Sequence, residues 1–275
     1  MERTVRIGGH PAGFTATART DIWWMSTLLT ALGLSAFVVY ATWAAFQPGH
    51  YWHDPYVSPF ASPTLFVRAA EEGVPPVDHA WLGEWPSWWP TFLPASPSLL
   101  ILVFPLSFRL TCYYFRKAYY RAYTGSPPAC AVGAIPRREY RGETAWLLFQ
   151  NLHRYALYFI LFFMVVHYYD TFHAFFREGR MGVGLGSIVL LIDAVLLTLY
   201  VFGCHSFRHL IGGRLDCFSC DAGSGLRHEV WRRASVLNAW HGLFGWLSLF
   251  WVAFSDAYVR MVSMGLVSDL STWSR

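Results

Sequence analysis

Histidine and cysteine are the side chains of this sequence that can do chemistry, and several of them fall close together. His205 and His209 are four residues apart, so on a helix they share a face. Cys204 comes immediately before them. Cys112 and Cys130 bracket a basic stretch, and His153 and His241 stand near the starts of two other apolar runs. Imidazole and thiolate together are ligands for redox metals. Haem b takes two histidines facing each other across a helix bundle, whereas a Rieske-type [2Fe–2S] cluster takes two cysteines on one iron and two histidines on the other. Spacing alone leaves both open. The soluble Rieske pattern, C-x-H followed by C-x-x-H, is absent, so a cluster would have to be assembled from separate helices. Cys217-x-x-Cys220 is the tidiest local pair and with His228 would suit zinc, but no second C-x-x-C accompanies it. Any one of these cysteines taken alone reads as a small buried apolar residue.

The elements that must position these groups are membrane spans. The chain has 275 residues, 55% hydrophobic and only 14% charged, against roughly 25% charged in soluble domains. Its 14 Trp, 15 Tyr and 22 Phe exclude a disordered chain. No basic stripe accompanies a soluble fold, which speaks against nucleic acid as a partner. About 20 apolar residues cross a bilayer. Runs of that length predict an all-α bundle of five transmembrane helices, at about 22–46, 98–122, 146–172, 181–211 and 234–260, forming a single membrane domain over 1–275. Segment 47–96, rich in Trp and Pro, is expected to lie as a cap on the outer surface, where such rings prefer the interface.

Lys and Arg counts set the expected orientation. Segments 1–21, 116–145 and 203–233 hold 14 of the 21 basic residues, and the opposite set, 47–96, 170–182 and 256–275, holds 5. The N-terminus is therefore expected in the cytoplasm. All five cysteines then fall on the cytoplasmic side, where a reducing compartment argues against structural disulfides. His153, His205, His209 and His241 converge on the same inner leaflet, and polar groups at that depth tend to mark function. Arg109 and Arg154 either neutralise a bound group or snorkel to the interface. Asp193, at mid-span, cannot snorkel and calls for a partner or a water path.

These residues carry a resemblance. The runs Thr111-Cys112-Tyr113-Tyr114-Phe115-Arg116-Lys117 and Ser126-Pro127-Pro128-Ala129-Cys130, then Asn151-Leu152-His153-Arg154-Tyr155, Cys204-His205-Ser206-Phe207-Arg208-His209 with Gly212-Gly213, and Leu237-Asn238-Ala239-Trp240-His241 occur in one order. Together they resemble the single membrane-anchor subunit of actinobacterial-type (type F) succinate dehydrogenases, respiratory complex II, from about Ile22 to Gly265. The resemblance implies a bacterial plasma-membrane protein that holds a flavoprotein (FAD) and an iron–sulfur subunit on the cytoplasmic face and passes electrons to quinone. It also implies a membrane-embedded Rieske-type [2Fe–2S] centre, with ligands drawn from Cys112, Cys130, Cys204, His205, His209 and His241, and with Cys217 and Cys220 outside the family pattern. Related five-helix anchors carry two haems on histidines of their first four spans. Here the first two spans lack histidine and the second offers Cys112 instead, which favours the cluster and leaves one haem b as the alternative.

Arg109, His153, Arg154 and Trp240 are the positional candidates for contacting quinone, menaquinone or ubiquinone. No residue of this chain is expected to be catalytic; the flavin site belongs to a partner. Three other readings stand beside this one: a haem b subunit of another quinone-linked complex, a transporter using Asp193 and the arginines, and a purely structural anchor. No internal repeat supports the transporter.

Overall fold

A computed structural model describes residues 13–69, 71–135, 152–213 and 215–273. Positions 146–151 of the third expected span and 136–145 of the basic loop lie outside the described residues. Helix dominates, with two short antiparallel ribbons, β1 (Trp52–His53) with β2 (Tyr56–Val57) and β3 (Phe176–Arg177) with β4 (Arg180–Met181). Among the described residues four helices are long and apolar enough to cross a membrane: α1 (Trp23–Ala45), α5 (His153–His173), α6 (Leu185–Phe202) and α9 (His241–Ser263). A fifth span exists only if a broken series is taken together: α2 (Pro97–Ile101), α3 (Val103–Thr111) and α4 (Tyr113–Thr124).

The breaks have local causes. Pro105 lacks an N–H, and its ring would strike the carbonyl four residues back, that of Ile101, where α2 ends. Within α3 the proline sits in the first turn, where it is tolerated. At Cys112 the backbone turns extended (φ −63°, ψ 127°), and α4 starts afresh. Gly125 closes α4 in the left-handed region at φ 53°, a conformation glycine reaches without a Cβ penalty.

The expected fourth and fifth spans are each shorter than their apolar runs. α6 stops at Phe202, and His205–Gly212 forms a separate helix, α7. Likewise α8 (Ala222–Ala239) ends before α9 begins, with Trp240 between them. His241 therefore opens α9 instead of lying two turns inside a span. At its far end α9 runs on to Ser263, so Asp256 and Arg260 are buried in a membrane-length helix and not in an outer segment.

Contacts divide the chain into two units. Unit one comprises residues 1–39 and 109–152; unit two comprises 40–108 and 153–275. In unit one the loop after α4 is tied to the N-terminal segment and α1. Thr17 Oγ1 donates to the Ala131 carbonyl at 2.7 Å, Arg19 Nη1 to the Cys130 carbonyl at 2.9 Å, and Thr27 Oγ1 to the Pro128 carbonyl at 2.9 Å. In unit two α6 is the central helix, packed on α9 and on α5. Trp251 Nε1 donates to the Val189 carbonyl at 3.0 Å, and Tyr168 shares a hydrogen bond of 2.8 Å with Thr198. The cap is fastened to the same helices: Tyr56 and Tyr258 hydroxyls both donate to Asp269, at 2.7 and 2.5 Å, and Gly186 N donates to it at 3.0 Å. Burial and the Asp269 carboxylate push the Tyr56 phenol well above its usual range.

Candidate functional site

Three membrane-length helices of unit two bring a cysteine and two histidines to their ends. His153 is the first residue of α5, Cys204 follows α6, and His241 is the first residue of α9. Each marks a place where a helix starts or stops, so its side chain is positioned by a helix end and by the packing of neighbouring helices. Cys204 is 2% exposed and His241 9%. His153 Nε2 and Cys204 Sγ share a contact of 3.1 Å. The Phe108 backbone adds a hydrogen bond to His153. An imidazole fixed through one nitrogen by a backbone carbonyl presents the other for ligation or proton exchange.

Aromatic rings wall this end of the bundle. Phe108 stacks on His153 with centroids 4.4 Å apart, Tyr200 stacks on His241 at 4.8 Å, and Tyr200 meets Phe108 edge-on at 5.8 Å. Tyr200 lies in the last turn of α6, four residues before Cys204. Sequence reasoning passed over Phe108 and Tyr200. Their signal, an aromatic one turn from a candidate ligand, is indistinguishable from ordinary core.

The connection behind Cys204 is rigid. Asn238 Nδ2, on α8, donates to the Gly203 carbonyl at 2.7 Å. A Cβ on Gly203 would stand 3.1 Å from the Leu237 carbonyl oxygen, so α8 sits close against this break. Arg208 Nε donates to Ser235 Oγ at 3.0 Å and Nη1 to Asn238 Oδ1 at 3.1 Å, with its guanidinium 5.1 Å from the Trp231 ring. The basic α7 is thereby clamped to α8.

Other sequence candidates take different places. His205 and His209 do share α7, as their spacing requires, but both are exposed. Arg154 and Trp240 are exposed as well. In unit one Cys112 is buried at the α3–α4 break, whereas Cys130 is exposed, with its sulfur 3.7 Å from Arg121 Nη2. Arg109 lies 5.4 Å from the Phe115 ring centre. Cys217 and Cys220, expected reduced or paired on zinc with His228, are joined by a disulfide, and His228 stacks on Phe218 at 4.5 Å. Among the described residues no three His, Cys, Asp or Glu side chains are spaced to hold a metal ion.

A family model described as actinobacterial succinate dehydrogenase subunit SdhC matches residues 25–265. The chain belongs to the actinobacterial succinate dehydrogenase SdhC family. The match runs from the third residue of α1 through the end of α9 and takes in all the elements between them. The SdhC-family chain is also similar to a solved structure, the Mycobacterium smegmatis Sdh1 complex in the apo form, at 42% identity and a TM-score of 0.80, covering 92% of each chain. No curated protein matches. The chain is thus a membrane subunit of a succinate dehydrogenase complex, and the four or five apolar helices among the described residues are suited to anchor it in the bilayer.

Proposed function

We propose that this subunit is an electron-transfer anchor: it docks an iron–sulfur subunit, which in turn carries the flavoprotein, and conducts electrons from it to quinone through a Rieske-type [2Fe–2S] centre. The observation that carries this reading is half-buried His153 against buried Cys204, with buried His241, gathered at the ends of α5, α6 and α9 in a chain of this family. The donor types fit such a centre, which needs two imidazoles and two thiolates. His153 and His241 supply the imidazoles and Cys204 one thiolate. For the second thiolate the sequence offers Cys112 and Cys130. When bound, a histidine-ligated cluster supplies a one-electron couple at roughly −150 to +300 mV.

The residues around the pair do the rest. Phe108 and Tyr200 exclude water and hold the two imidazole planes by stacking. Arg208 and Asn238 keep the Cys204 break from moving. Exposed His205, His209, Arg154 and Trp240 suit contact with a docked subunit or a quinone better than they suit buried ligation. The loop charges favour the cytoplasmic plasma-membrane face for this end. Quinone reduction against succinate–dye activity, measured on Cys204 and His153 variants, tests the proposal.

A further inference from the structure

The cap carries a pocket that the electron-transfer reading does not use. Two stretches of chain laid side by side build it. Val67 N donates to the Gly83 carbonyl and Trp85 N to the Val67 carbonyl, each at 3.0 Å, and this parallel bridge sets Val67 beside Glu84. Pro86 and Pro90 then each open a turn, closed by Trp89 N on the Pro86 carbonyl at 3.0 Å and by Leu93 N on the Pro90 carbonyl at 3.1 Å. The space enclosed has a volume of about 340 Å³, the size of a small-molecule site. Arg68, Glu84, Trp85, Ser87, Trp89 and Thr91 give its walls their chemistry.

The rings on these walls are held by the protein itself. Trp85 and Trp89 have centroids 4.7 Å apart and planes at 58°. Phe66 packs against Trp85 with centroids 5.5 Å apart, and Trp89 Nε1 donates to the Leu93 carbonyl at 3.2 Å. The Trp85 Nε1–H is buried and finds no acceptor in the protein. The lining selects a class of ligand. A carboxylate only accepts hydrogen bonds, a guanidinium only donates them, and the hydroxyls of Ser87 and Thr91 do both. One acid and one base share the pocket, so a ligand of either net charge meets its like there. Arg68 is moreover already paired with Glu71 at 3.0 Å. A quinone brings only acceptors and leaves Glu84 unmatched. A polyhydroxylated ring answers every group: its hydroxyls donate to Glu84 and accept from Arg68, and its C–H face suits the negative face of an indole.

We propose that this pocket binds a pyranose ring, either the headgroup of a glycolipid or a free sugar. The loop charges favour the outer face for the cap. Trp88, 74% exposed between two lining residues, is of the type that settles at the membrane interface, the level at which a lipid headgroup lies. The site draws on neither the redox centre nor quinone, so its failure leaves the electron-transfer reading untouched.

The test uses the whole complex, purified without glycoside detergent into phosphatidylglycerol nanodiscs. In one arm, saturation-transfer NMR measures methyl α-glucopyranoside. In the other, native mass spectrometry counts glucosyl diacylglycerol retained from nanodiscs that contain it. The expected result is binding in at least one arm. Retention of the lipid alone identifies a headgroup site, and saturation of the free glycoside identifies a soluble-sugar site. Glu84→Gln should weaken the binding about tenfold, the loss of one charge-assisted hydrogen bond, and Trp85→Ala should abolish it. Binding in neither arm overturns the proposal without any variant. So does binding undiminished in Glu84→Gln, an exposed position whose substitution keeps the test valid should Trp85→Ala fail to assemble. Binding of tetramethylammonium or inorganic phosphate with no sugar bound also overturns it.

Discussion

Arg260 and Asp256 stand one helical turn apart on α9, their Nε and Oδ2 atoms separated by 2.9 Å, with the two side chains 2% and 0% exposed. The pair is a hub. Arg260 also donates to the Gly49 and Ala44 carbonyls, each at 3.1 Å, and Tyr40 donates to Asp256 at 2.6 Å. Ser58 donates to the same carboxylate. One ion pair thus holds the end of α1 and the cap to α9.

Removing one member strands the other. Arg260→Met or Asp256→Asn is expected to destabilise the subunit by about 3–5 kcal/mol, the usual effect of an uncompensated buried charge. Thermal unfolding in detergent measures it. Asp256→Leu combined with Arg260→Leu should recover part of the loss, since no lone charge remains.

The acid end of the pH range should loosen α8 at its surface. Arg233 and then Arg232 hold the Glu229 carboxyl below its ordinary range, and hydrogen bonds from Ser224 hold Asp221, the N-cap of α8, below its own. A depressed carboxyl stabilises the fold above its unfolded value, about 4. That contribution fades as pH falls through the lower folded value. Amide exchange in the first turn of α8, corrected for intrinsic rates, should speed up below about pH 4 while the α6 core stays protected. Unchanged protection at Ser224 would contradict this.

Reductant should open the Cys217–Cys220 disulfide without unfastening α7 from α8. Arg208 reaches Ser235 and Asn238, and Arg227 reaches the carbonyls of Ile211 and Gly213 at 2.8 and 3.0 Å, all independently of the sulfur bridge. Thiol labelling should report two new thiols, and proteolysis between α7 and α8 should not accelerate.

The bundle was legible from hydropathy because about 20 apolar residues is a strong signal. Its ends were not. The run 181–211 reads as one span, yet α6 stops at Phe202, where Asn238, distant in sequence, bonds the Gly203 carbonyl and Arg208. The same holds for Trp240, which separates α8 from α9 and moves His241 to a helix start. Arg260 read as an outer charge because its partners, Ala44 and Gly49, are more than two hundred residues away. At the candidate site, Cys204, His153 and His241 were nameable from residue type. What separates them from His205 and His209 is that Cys204 and His241 are buried and His153 is half-buried against Cys204, which spacing does not encode.

That separation gives a functional prediction. Cys204→Ser or His153→Gln should reduce quinone reduction by at least the tenfold lower bound typical of disturbed metal sites, with succinate oxidation by a soluble dye retained. His205→Gln and His209→Gln, at exposed positions, should leave the metal content intact. Equal loss of metal in both sets would place the ligands on α7 instead.

A histidine- and cysteine-ligated iron–sulfur centre is proposed at the ends of α5, α6 and α9. Low-temperature paramagnetic resonance of the reduced, purified complex, compared between wild type and Cys204→Ser, tests it most directly. The wild type should give a signal of low average g that disappears in the variant, with no sharp haem alpha band in the optical spectrum. A haem b spectrum without that signal, or a signal undiminished in Cys204→Ser, would contradict it.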